Sequence, residues 1–434
     1  MFKLNNKLVF LVVILLFIAP LSLAQAKTFK IASYNVENLF DLETSGNEYI
    51  EYVPNNIFNW NEKTFNIKLN NLTTVLKDLN ADIIALQEIE SKSALQALQT
   101  KLRENNLEYK YSAITIGKNT TVKCAVLSKY PITKTQEIFI ADRKTRNILK
   151  LQIDLENNPL IVYINHWKSK SGPESLRIKS AKALKKDIDQ LAANTDFILI
   201  GDFNSNYNEF ESIKKIKRLN DRKGLTGINH ILKTTLGSKI VSEQFFSKQQ
   251  NSLFLYNLWM EIPASQRWSY TYSKFKDSPD SIILSPGLYD NKGIAYIDNS
   301  FNRFTPDYLF KQGEIFRWQK AKNGSGMHIG SGYSDHLPIF ALFTPEAFNF
   351  KQTEKPPIAA ELAKNKPTIQ TLGLVDLNTS AKKELLAIPG IGKVLADKII
   401  AKRPYQSIDD LIKVNGIGKK KLATIRKYFK IDKQ

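Results

Sequence analysis

The sequence predicts an α/β layered domain followed by a small helical domain. Several short apolar runs are bounded by turn residues, which is typical of buried β-strands. Apolar residues at helical spacing precede two of these runs, so helices and strands alternate along the chain. The C-terminal segment contains two similar stretches, each with an apolar helix, a Gly-x-Gly turn and a basic helix. These three observations set the predicted fold class.

The chain begins with a leader typical of exported proteins. A basic start precedes an apolar stretch, Leu8–Leu23, which Pro20 interrupts, and Ala24-Gln25-Ala26 fits a small-x-small cleavage site. We therefore interpret residues 1–26 as a secretory signal peptide. The protein is expected to be secreted, periplasmic or extracellular, without stable membrane association. An uncleaved membrane anchor is the alternative, because the same stretch is uncharged and nearly long enough to span a bilayer.

The composition indicates what kind of molecule the protein binds. The formal net charge of +20 predicts attraction to a polyanion, although Lys-rich proteins often have basic surfaces that bind no nucleic acid.

Cys124 is the single cysteine, which excludes an intramolecular disulfide, and its apolar neighbours indicate a buried strand residue. Stability must therefore come from a large hydrophobic core. We expect a monomer.

Residues 27–345 are expected to form the first domain. Two helices are predicted directly before strands, from Leu72, Val75, Leu76 and Leu79 in the first and Ala181, Leu184, Ile188 and Leu191 in the second. Residues 205–268 lack this rhythm and are expected to form an elaborated insertion.

Polar residues stand at one end of each apolar run. Four clusters follow their strands and two precede them: Asn35 with Glu37, Gln87-Glu88, Asn165-His166, Gly201-Asp202-Phe203-Asn204, Asp280, and Asp335-His336. If the first four strands run one way and the last two the other, all the clusters meet at one edge. Carboxylates, amides and imidazoles gathered there indicate a metal-dependent catalytic site.

Four of these motifs carry a family resemblance. In this order, Ser33-Tyr34-Asn35-Val36-Glu37-Asn38, Leu86-Gln87-Glu88, Gly201-Asp202-Phe203-Asn204 and Ser334-Asp335-His336 resemble the endonuclease/exonuclease/phosphatase superfamily, whose founding member is the pancreatic-type deoxyribonuclease. The resemblance covers residues 27–345. It implies a four-layer α/β sandwich, with two central mixed sheets flanked by helices. It also implies phosphate-ester hydrolysis with a divalent metal, Mg²⁺, with Mn²⁺ or Ca²⁺ as alternatives.

The resemblance also implies roles for the metal ligands. Glu88 matches the main ligand, and Asn35 is expected to assist through its amide oxygen. Asp335 is expected to bind or neighbour a second metal, although a carboxylate at the start of a strand is an alternative interpretation.

Catalytic roles follow by the same resemblance. Asp202 and Asn204 match the residues that orient or deprotonate the attacking water and hold a phosphoryl oxygen. His336 matches the histidine that contacts the scissile phosphate. Asp280 matches the carboxylate that orients this histidine, and Asp277 is a rival for that role.

His166 adds information about the subfamily. Its motif, Asn165-His166-Trp167-Lys168-Ser169-Lys170, resembles the secreted bacterial members, in which this histidine is a second acid/base or phosphate contact. Lys168 and Lys170 would then grip flanking phosphates, or else belong to a solvated basic loop. Arg146 is a weaker candidate for a phosphate clamp.

After a Pro- and Lys-rich linker, residues 346–373, a small all-α helix-hairpin-helix domain is expected over residues 374–434. Its two turns, Pro389-Gly390-Ile391-Gly392 and Asn415-Gly416-Ile417-Gly418, resemble the paired helix-hairpin-helix motifs in the DNA-receptor domain of bacterial competence systems. Each turn exposes backbone N–H groups at a helix N-terminus, where a phosphate is favoured. Lys393 and Lys419 add positive charge. Binding should therefore be independent of sequence and sensitive to salt.

The leading hypothesis is a secreted, metal-dependent, sequence-nonspecific DNA endonuclease that its C-terminal hairpins tether to double-stranded DNA. One alternative is a phosphodiesterase or phosphatase acting on lipid or inositol phosphates, although no membrane-inserting hairpin is evident in the sequence. Another alternative is a DNA-uptake binding protein with an inactive nuclease fold.

Overall fold

The computed structural model describes residues 27–117, 120–142, 145–248, 254–272, 275–321, 326–349, 374–386, 388 and 391–431. The expected signal peptide, most of the expected linker and Gly390 lie outside these residues. The chain divides into two compact units, residues 1–354 and 355–434. Within the described ranges, none of the helices combines the length and the apolarity that a membrane span requires.

Twenty-one strands are present in the described residues, most of them short. In chain order they are β1 (Phe29–Leu39), β2 (Ile83–Ile89), β3 (Tyr111–Ile114), β4 (Lys123–Ser128), β5 (Ile132–Ile138), β6 (Ile148–Asp154), β7 (Pro159–His166), β8 (Phe197–Asp202), β9 (Thr235–Leu236), β10 (Lys239–Ile240), β11 (Tyr256–Asn257), β12 (Tyr270–Tyr272), β13 (Phe275–Asp277), β14 (Asp280–Leu284), β15 (Ala295–Tyr296), β16 (Asn302–Arg303), β17 (Phe310–Lys311), β18 (Glu314–Ile315), β19 (Ile339–Thr344), β20 (Val375–Asp376) and β21 (Phe429–Lys430).

Two mixed sheets organise the first unit. The seven-stranded sheet has the order β15-β19-β1-β2-β4-β3, with β16 also paired to β19, and the six-stranded sheet has the order β11-β14-β8-β7-β6-β5. Strand β1 is parallel to β2 and antiparallel to β19. Strand β8 is parallel to β7 and antiparallel to β14. The strands with polar residues at their ends therefore run in the directions that the sequence predicted.

The described residues of the first unit include five helices: α1 (Glu62–Leu79), α2 (Lys92–Glu104), α3 (Glu174–Ile188), α4 (Glu209–Ser212) and α5 (Glu243–Phe246). Helix α1 begins at a capping box, in which the Asn61 side chain accepts from the Thr64 N–H and the Thr64 hydroxyl accepts from the Asn61 N–H. It ends at Asn80, whose left-handed conformation stops the helix. Ser91 caps α2 by accepting the Ala94 N–H at 2.9 Å. Local sequence chemistry thus sets the ends of these helices.

Three hydrophobic layers separate the helices and sheets. One lies between the seven-stranded sheet and helices α1 and α2, a second between the two sheets, and a third between the six-stranded sheet and α3. Successive strand residues alternate between neighbouring layers: Ile31 faces the layer between the sheets, and Ala32 faces the helices. Because both faces of the central strands are buried, they read as continuous apolar runs. The predicted four-layer α/β sandwich is confirmed.

Short turns of helix and two-stranded ribbons complete the first unit. The 3₁₀ turns are Ile50–Tyr52, Leu258–Glu261, Ala264–Gln266, Pro286–Tyr289 and Asp307–Leu309, and Gly227–Ile231 forms a π turn. The ribbons pair β9 with β10, β12 with β13, and β17 with β18. Cys124 is fully buried in β4, as expected.

The C-terminal unit has its own small hydrophobic core. Its helices are Lys382–Leu386, Lys393–Ala401 and Lys419–Ile425, with 3₁₀ turns Ile408–Lys413 and Arg426–Tyr428. The expected hairpin order is present, although the first helix of the second hairpin is a 3₁₀ turn. An all-α unit was expected, but the structure also contains two strands of two residues each, β20 and β21. They pair in parallel and join the two ends of the described part of this unit.

Candidate active site

The polar clusters of the first unit meet at one edge of the two sheets. Paired positions on neighbouring strands place Asn35 opposite Gln87, and Asp202 opposite both His166 and Asp280. A cavity of about 650 Å³ lies there. Its walls include Glu88, His166, Asp202, Asn204, Asp335 and His336, together with Asn38, Tyr49, Arg146, Ser169, Lys170, Ser171, Arg218, Tyr270, Tyr272, Asp277 and Pro279. The chain therefore brings distant motifs together in a single cleft.

A break in strand pairing directs Glu88 into this cleft. The register between β2 and β4 shifts between Gln87 and Ile89, and Glu88 has a left-handed backbone with φ of +68°. Such bulges turn one side chain out of the regular alternation. A left-handed glutamate costs free energy that the surrounding sheet must offset, and strain of this kind is concentrated at functional sites.

The Gly201-Asp202-Phe203-Asn204 turn is equally constrained. Gly201 has φ of +130°, and a Cβ there would lie 2.1 Å from the Asn165 carbonyl oxygen, so only glycine fits. The Asp202 carboxylate accepts the Asn204 backbone N–H at 2.8 Å, and Asn204 has φ of +48°. The Asn204 side-chain amide donates to the Trp167 carbonyl at 3.2 Å. This turn presents both side chains at the end of β8.

Asn35 links the two central carboxylates. Its amide nitrogen donates to Glu88 at 3.2 Å and to Asp202 at 3.0 Å, and its amide oxygen accepts the Glu37 backbone N–H at 3.1 Å. The backbone donor fixes which way the amide points. Asn35 therefore turns its N–H groups toward the carboxylates, whereas a ligand role through the amide oxygen was expected from the sequence.

Asp280 positions His336. The Asp280 carboxylate contacts His336 Nδ1 at 2.8 Å and accepts the Ser269 hydroxyl at 2.5 Å, and the Trp259 indole donates to the Asp280 carbonyl at 2.6 Å. Burial alone would lower the pKa of His336, but Asp280, Asp202 and Asp335 together raise it well above its usual value. These carboxylates therefore favour the protonated form of His336. The rival, Asp277, instead accepts from the Asn206 amide at 2.9 Å.

His166 has the opposite electrostatic character. Its Nε2 lies 3.7 Å from Glu88 and 3.6 Å from Asp202, and the ring is almost fully buried. Burial, followed by the charges of Arg146, His336 and Lys168, lowers its pKa well below the usual value. The two histidines of the cleft thus differ, because carboxylates favour the protonated form of His336 and burial favours the neutral form of His166. They can therefore serve different steps of a proton transfer.

Asp335 belongs to an ion-pair network that the sequence did not reveal. Arg317 lies 3.2 Å from the Asp335 carboxylate and donates through Nε to the Glu37 carboxylate at 2.9 Å. The Trp318 backbone N–H also donates to Glu37, at 3.0 Å. Arg317 has no neighbouring motif, so only its position in the fold identifies it. The network ties the loop before β19 to the end of β1.

Basic side chains form part of the wall of the cleft. Lys170, Arg146 and Arg218 all border the cavity. Lys170 lies 3.2 Å from Glu209 and 3.7 Å from Asp277, so two carboxylates hold its ammonium group. Arg146 donates to the Trp167 carbonyl at 3.3 Å, and its buried Nε has no partner among the described residues. Lys168 contributes charge next to His166 but does not border the cavity.

The crowded carboxylates of the cleft fit a divalent cation. Burial and the charge of Asp335 raise the pKa of Glu88, and burial raises the pKa of Asp202 to about 6, with Asp280 adding to the effect. Carboxylates crowded in this way favour a cation among them. Glu88 and Asp202, joined through Asn35, and the nearby Asp335 could hold it. Oxygen and nitrogen atoms of Asp202, Asp280 and His336 also lie within 4.8 Å of one another.

In the C-terminal unit, the two glycine turns precede helices as expected. Gly392 and Gly418 are the N-caps of Lys393–Ala401 and Lys419–Ile425, and Gly416 has φ of +107°. Backbone N–H groups at these helix starts are available to an anion. Gly390 lies outside the described residues, as do the side chains of Lys393 and Lys419.

Comparison with known families gives two matches. Residues 30–239 match the family described as "Endonuclease/Exonuclease/phosphatase family", and residues 371–430 match the "Helix-hairpin-helix motif". The two matches cover separate parts of the chain, in the order that the motifs predicted.

Two curated proteins are similar over short stretches. A "Deoxyribonuclease" of Thioalkalivibrio sp. (strain K90mix) is 33% identical over 93 residues, which are 21% of this chain and 23% of that protein. "ComE operon protein 1" of Bacillus subtilis (strain 168) is 42% identical over 57 residues, which are 12% of this chain and 28% of that protein. The chain spans about a quarter of the length of each of these relatives.

Solved structures show similarity at low sequence identity. A humanized D. rerio TDP2 is 15% identical with a TM-score of 0.44, covering 73% of this chain and 99% of that one. An AP endonuclease from Archaeoglobus fulgidus is 12% identical with a TM-score of 0.44, covering 72% and 98%. At these values neither likeness carries an argument about activity.

Proposed function

Because the chain contains an endonuclease/exonuclease/phosphatase family domain followed by a helix-hairpin-helix motif, we propose that it is a secreted, metal-dependent DNA endonuclease without sequence specificity. The observation that carries the proposal is the cleft itself, where Glu88, Asp202, His166 and His336 border one cavity. Carboxylates, a histidine that favours its protonated form and a histidine that favours its neutral form can supply the charge stabilisation and the proton transfers of phosphodiester hydrolysis.

Each group has a distinct task in the proposed reaction. Glu88 and Asp335 would hold a divalent cation, which neutralises phosphate charge and polarises a phosphoryl oxygen. The His336 imidazolium, held by Asp280, donates a hydrogen bond to a phosphoryl oxygen and stabilises its developing charge. Asp202 lies beside His336 and, with a pKa near 6, is suited to accept the proton of the attacking water.

Asn204 and His166 complete the proposed site. Asn204 borders the cavity next to Asp202 and orients the phosphate or the water. His166, neutral and close to both Glu88 and Asp202, is a second proton acceptor or phosphate contact. Arg146 and Arg218 supply positive charge at the cavity wall for the flanking phosphates.

The preference for DNA rests on charge and on the second unit. The helix-hairpin-helix match and the short similarities to a protein named "Deoxyribonuclease" and to "ComE operon protein 1" support binding of nucleic acid. The net charge of +20 is consistent with a polyanionic partner. Contacts from backbone N–H groups at helix starts would be made to phosphates, which supports binding without sequence preference.

One observation favours a second candidate, a phosphodiesterase acting at a lipid surface. The β12–β13 hairpin lies beside the cleft and exposes two aromatic side chains, Tyr272 (64% exposed) and Phe275 (76% exposed). The sequence did not reveal this hairpin, because its strands are only three residues long. Exposed aromatics can enter a membrane interface, but they can also stack on bases.

Purified protein should be assayed on plasmid DNA, RNA and sphingomyelin vesicles, with Mg²⁺ and with a chelator. We expect plasmid cleavage that stops on chelation. The variant His336→Ala should lose cleavage by about 10² to 10³ while retaining DNA binding, because it removes the hydrogen-bond donor that stabilises the developing charge. His230→Ala, a histidine outside the cleft, is the matched control and should cleave normally. Sphingomyelin hydrolysis without plasmid cleavage would overturn the assignment, and unchanged cleavage by His336→Ala would overturn the proposed roles.

A further inference from the structure

Asp335 has its two carboxylate oxygens in different surroundings. Oδ2 lies 3.2 Å from Arg317 Nη2, whereas Oδ1 lies 3.9 Å from His336 Nε2, which is beyond hydrogen-bond distance. Asp335 also borders the cavity of the candidate active site. A guanidinium therefore occupies one oxygen of this carboxylate, and the other is left for a ligand in the cavity.

A second carboxylate, that of Glu37, holds the Arg317 guanidinium in place. Arg317 Nε donates to Glu37 Oε1 at 2.9 Å, and Arg317 Nη2 donates to the same oxygen. The Trp318 backbone N–H donates to the other oxygen, Oε2, at 3.0 Å, and Glu37 is only 4% exposed. Because both oxygens of this nearly buried carboxylate are engaged, Glu37 is a fixed anchor for the guanidinium.

The backbone segments that carry the two carboxylates are also fixed relative to each other. The ammonium group of Lys68, which is fully buried, donates to the Glu37 carbonyl at 3.1 Å and to the Tyr333 carbonyl at 2.8 Å. Lys68 thereby ties the end of β1 to the loop that contains Asp335. Arg317 thus bridges two carboxylates whose backbones already have a defined separation.

We propose that Arg317 is a positioning residue, which holds Oδ2 of Asp335 so that Oδ1 is presented to the divalent cation of the proposed reaction. This inference rests on the proposed function, in which Glu88 and Asp335 bind that cation. Carboxylates that bind a metal are themselves oriented by hydrogen bonds, and loss of such a partner typically weakens metal binding by about 10- to 100-fold. Arginine suits this role because its planar fork can contact two carboxylates at once.

Positioning and charge predict opposite results when Arg317 is replaced. A guanidinium beside a cation site repels the cation, so Arg317→Gln would strengthen cation binding if Arg317 acted by its charge alone. If Arg317 acts by orienting Asp335, the same variant should weaken cation binding. The Arg317 side chain is 44% exposed, so its replacement should leave the fold intact.

Binding of Mn²⁺ to the full-length protein, followed by electron paramagnetic resonance of the free ion, tests the inference without any reaction. We expect Arg317→Gln to weaken Mn²⁺ binding about tenfold. Arg317→Lys should lose less, because an ammonium group can keep one of the two carboxylates.

A double variant shows whether Arg317 acts through Asp335. Asp335→Asn should weaken Mn²⁺ binding at least as much as Arg317→Gln, and combining the two substitutions should add no further loss. The matched control is Lys311→Gln, which removes an exposed cation from β17 and should bind Mn²⁺ as the wild type does.

The Mg²⁺ dependence of hydrolysis gives a second readout. For Arg317→Gln, the Mg²⁺ concentration that gives half-maximal hydrolysis of bis(p-nitrophenyl) phosphate should rise about tenfold, and the rate should recover at saturating Mg²⁺. Equal or tighter Mn²⁺ binding by Arg317→Gln, with binding by Asp335→Asn weakened, would overturn the positioning role and leave the proposed function intact. If the wild type bound no Mn²⁺, or Asp335→Asn bound it as the wild type does, the proposed role of Asp335 would fall, and this inference with it.

Discussion

At the scale of single residues, the edge that lines the cleft is built from backbone conformations that most residues avoid. Glu88 and Asn204 have positive φ values of +68° and +48°, and Gly201 has φ of +130°. A regular strand would bury these side chains. The bulge at Glu88 and the turn after β8 direct them into the cleft instead. Each of these backbone conformations is locally unfavourable, so packing against the neighbouring strands must offset its cost in free energy.

Gly201→Ala should disrupt this edge. The added Cβ would lie 2.1 Å from a backbone oxygen, and φ of +130° is unfavourable for alanine. We expect the free energy of unfolding to fall by about 3 kcal/mol or more, with loss of cleavage. Gly237→Ala is the control, because Gly237 also has positive φ, +59°, but its Cβ would meet open space. Urea denaturation of both variants checks the difference, and equal losses would contradict the steric argument.

Asp196, at the opposite end of β8, should give stability a pH dependence. Burial, reinforced by Asp290 and opposed by the Ile294 N–H, raises its pKa from 3.8 to about 7. Between these values the folded state binds the proton that the unfolded state has released, so stability should fall as pH rises from about 4 to about 7. Asp196→Asn should remove this part of the slope in urea denaturation, whereas the exposed Asp307→Asn should follow the wild type. Parallel slopes for all three proteins would exclude the effect.

At the scale of elements, the insertion after β8 forms a basic rim beside the cleft. Residues 214–223 contain six exposed cations, Lys214, Lys215, Lys217, Arg218, Arg222 and Lys223. The segment is anchored to α3 because the Glu174 N–H donates to the Leu219 carbonyl at 3.0 Å and the Ser175 N–H to Asp221 at 3.0 Å. Arg218 borders the cavity of the candidate active site, and Lys214 and Lys223 border a second cavity of about 720 Å³. An anchored row of cations is suited to follow a phosphate backbone.

Neutralising part of this rim should weaken DNA binding without affecting the chemistry. The triple variant Lys214→Gln/Lys215→Gln/Lys217→Gln should lower affinity for duplex DNA about tenfold and reduce the slope of log affinity against log salt by about 2. Hydrolysis of bis(p-nitrophenyl) phosphate, which is too small to reach the rim, should not change.

The matched control is Arg103→Gln/Lys110→Gln/Lys134→Gln, which removes three exposed charges near the opposite ends of the strands. If both triple variants lose the same affinity, net charge rather than the rim is responsible.

At the scale of the whole molecule, the chain joins the unit that contains the cleft to a second compact unit, which matches the helix-hairpin-helix motif. The C-terminal unit has its own core, in which Leu377, Leu385 and Leu411 are fully buried, and its own paired strands. If this unit binds DNA as proposed, it would raise the effective concentration of DNA at the cleft without adding a contact there.

Removing residues 355–434 should therefore weaken DNA binding and leave phosphodiester hydrolysis in place. We expect affinity for long duplex DNA to fall at least about tenfold and the salt dependence to become shallower, while hydrolysis of bis(p-nitrophenyl) phosphate continues. Fluorescence anisotropy over a series of salt concentrations checks the first expectation. Equal affinity and equal salt slope for the two proteins would show that the C-terminal unit does not hold DNA.

The sequence by itself determined the layered α/β class, the two-part organisation and the polar motifs of the cleft. It could do so because the spacing of apolar residues shows which face of a helix or strand is buried. Motifs such as Gly201–Asn204 also specify a local backbone conformation. Tertiary structure alone decided which atoms meet: the direction of the Asn35 amide, the choice of Asp280 over Asp277 behind His336, and the ion pairs of Arg317. These contacts join residues whose distance in sequence carries no signal, and packing of the sheets and loops brings them together.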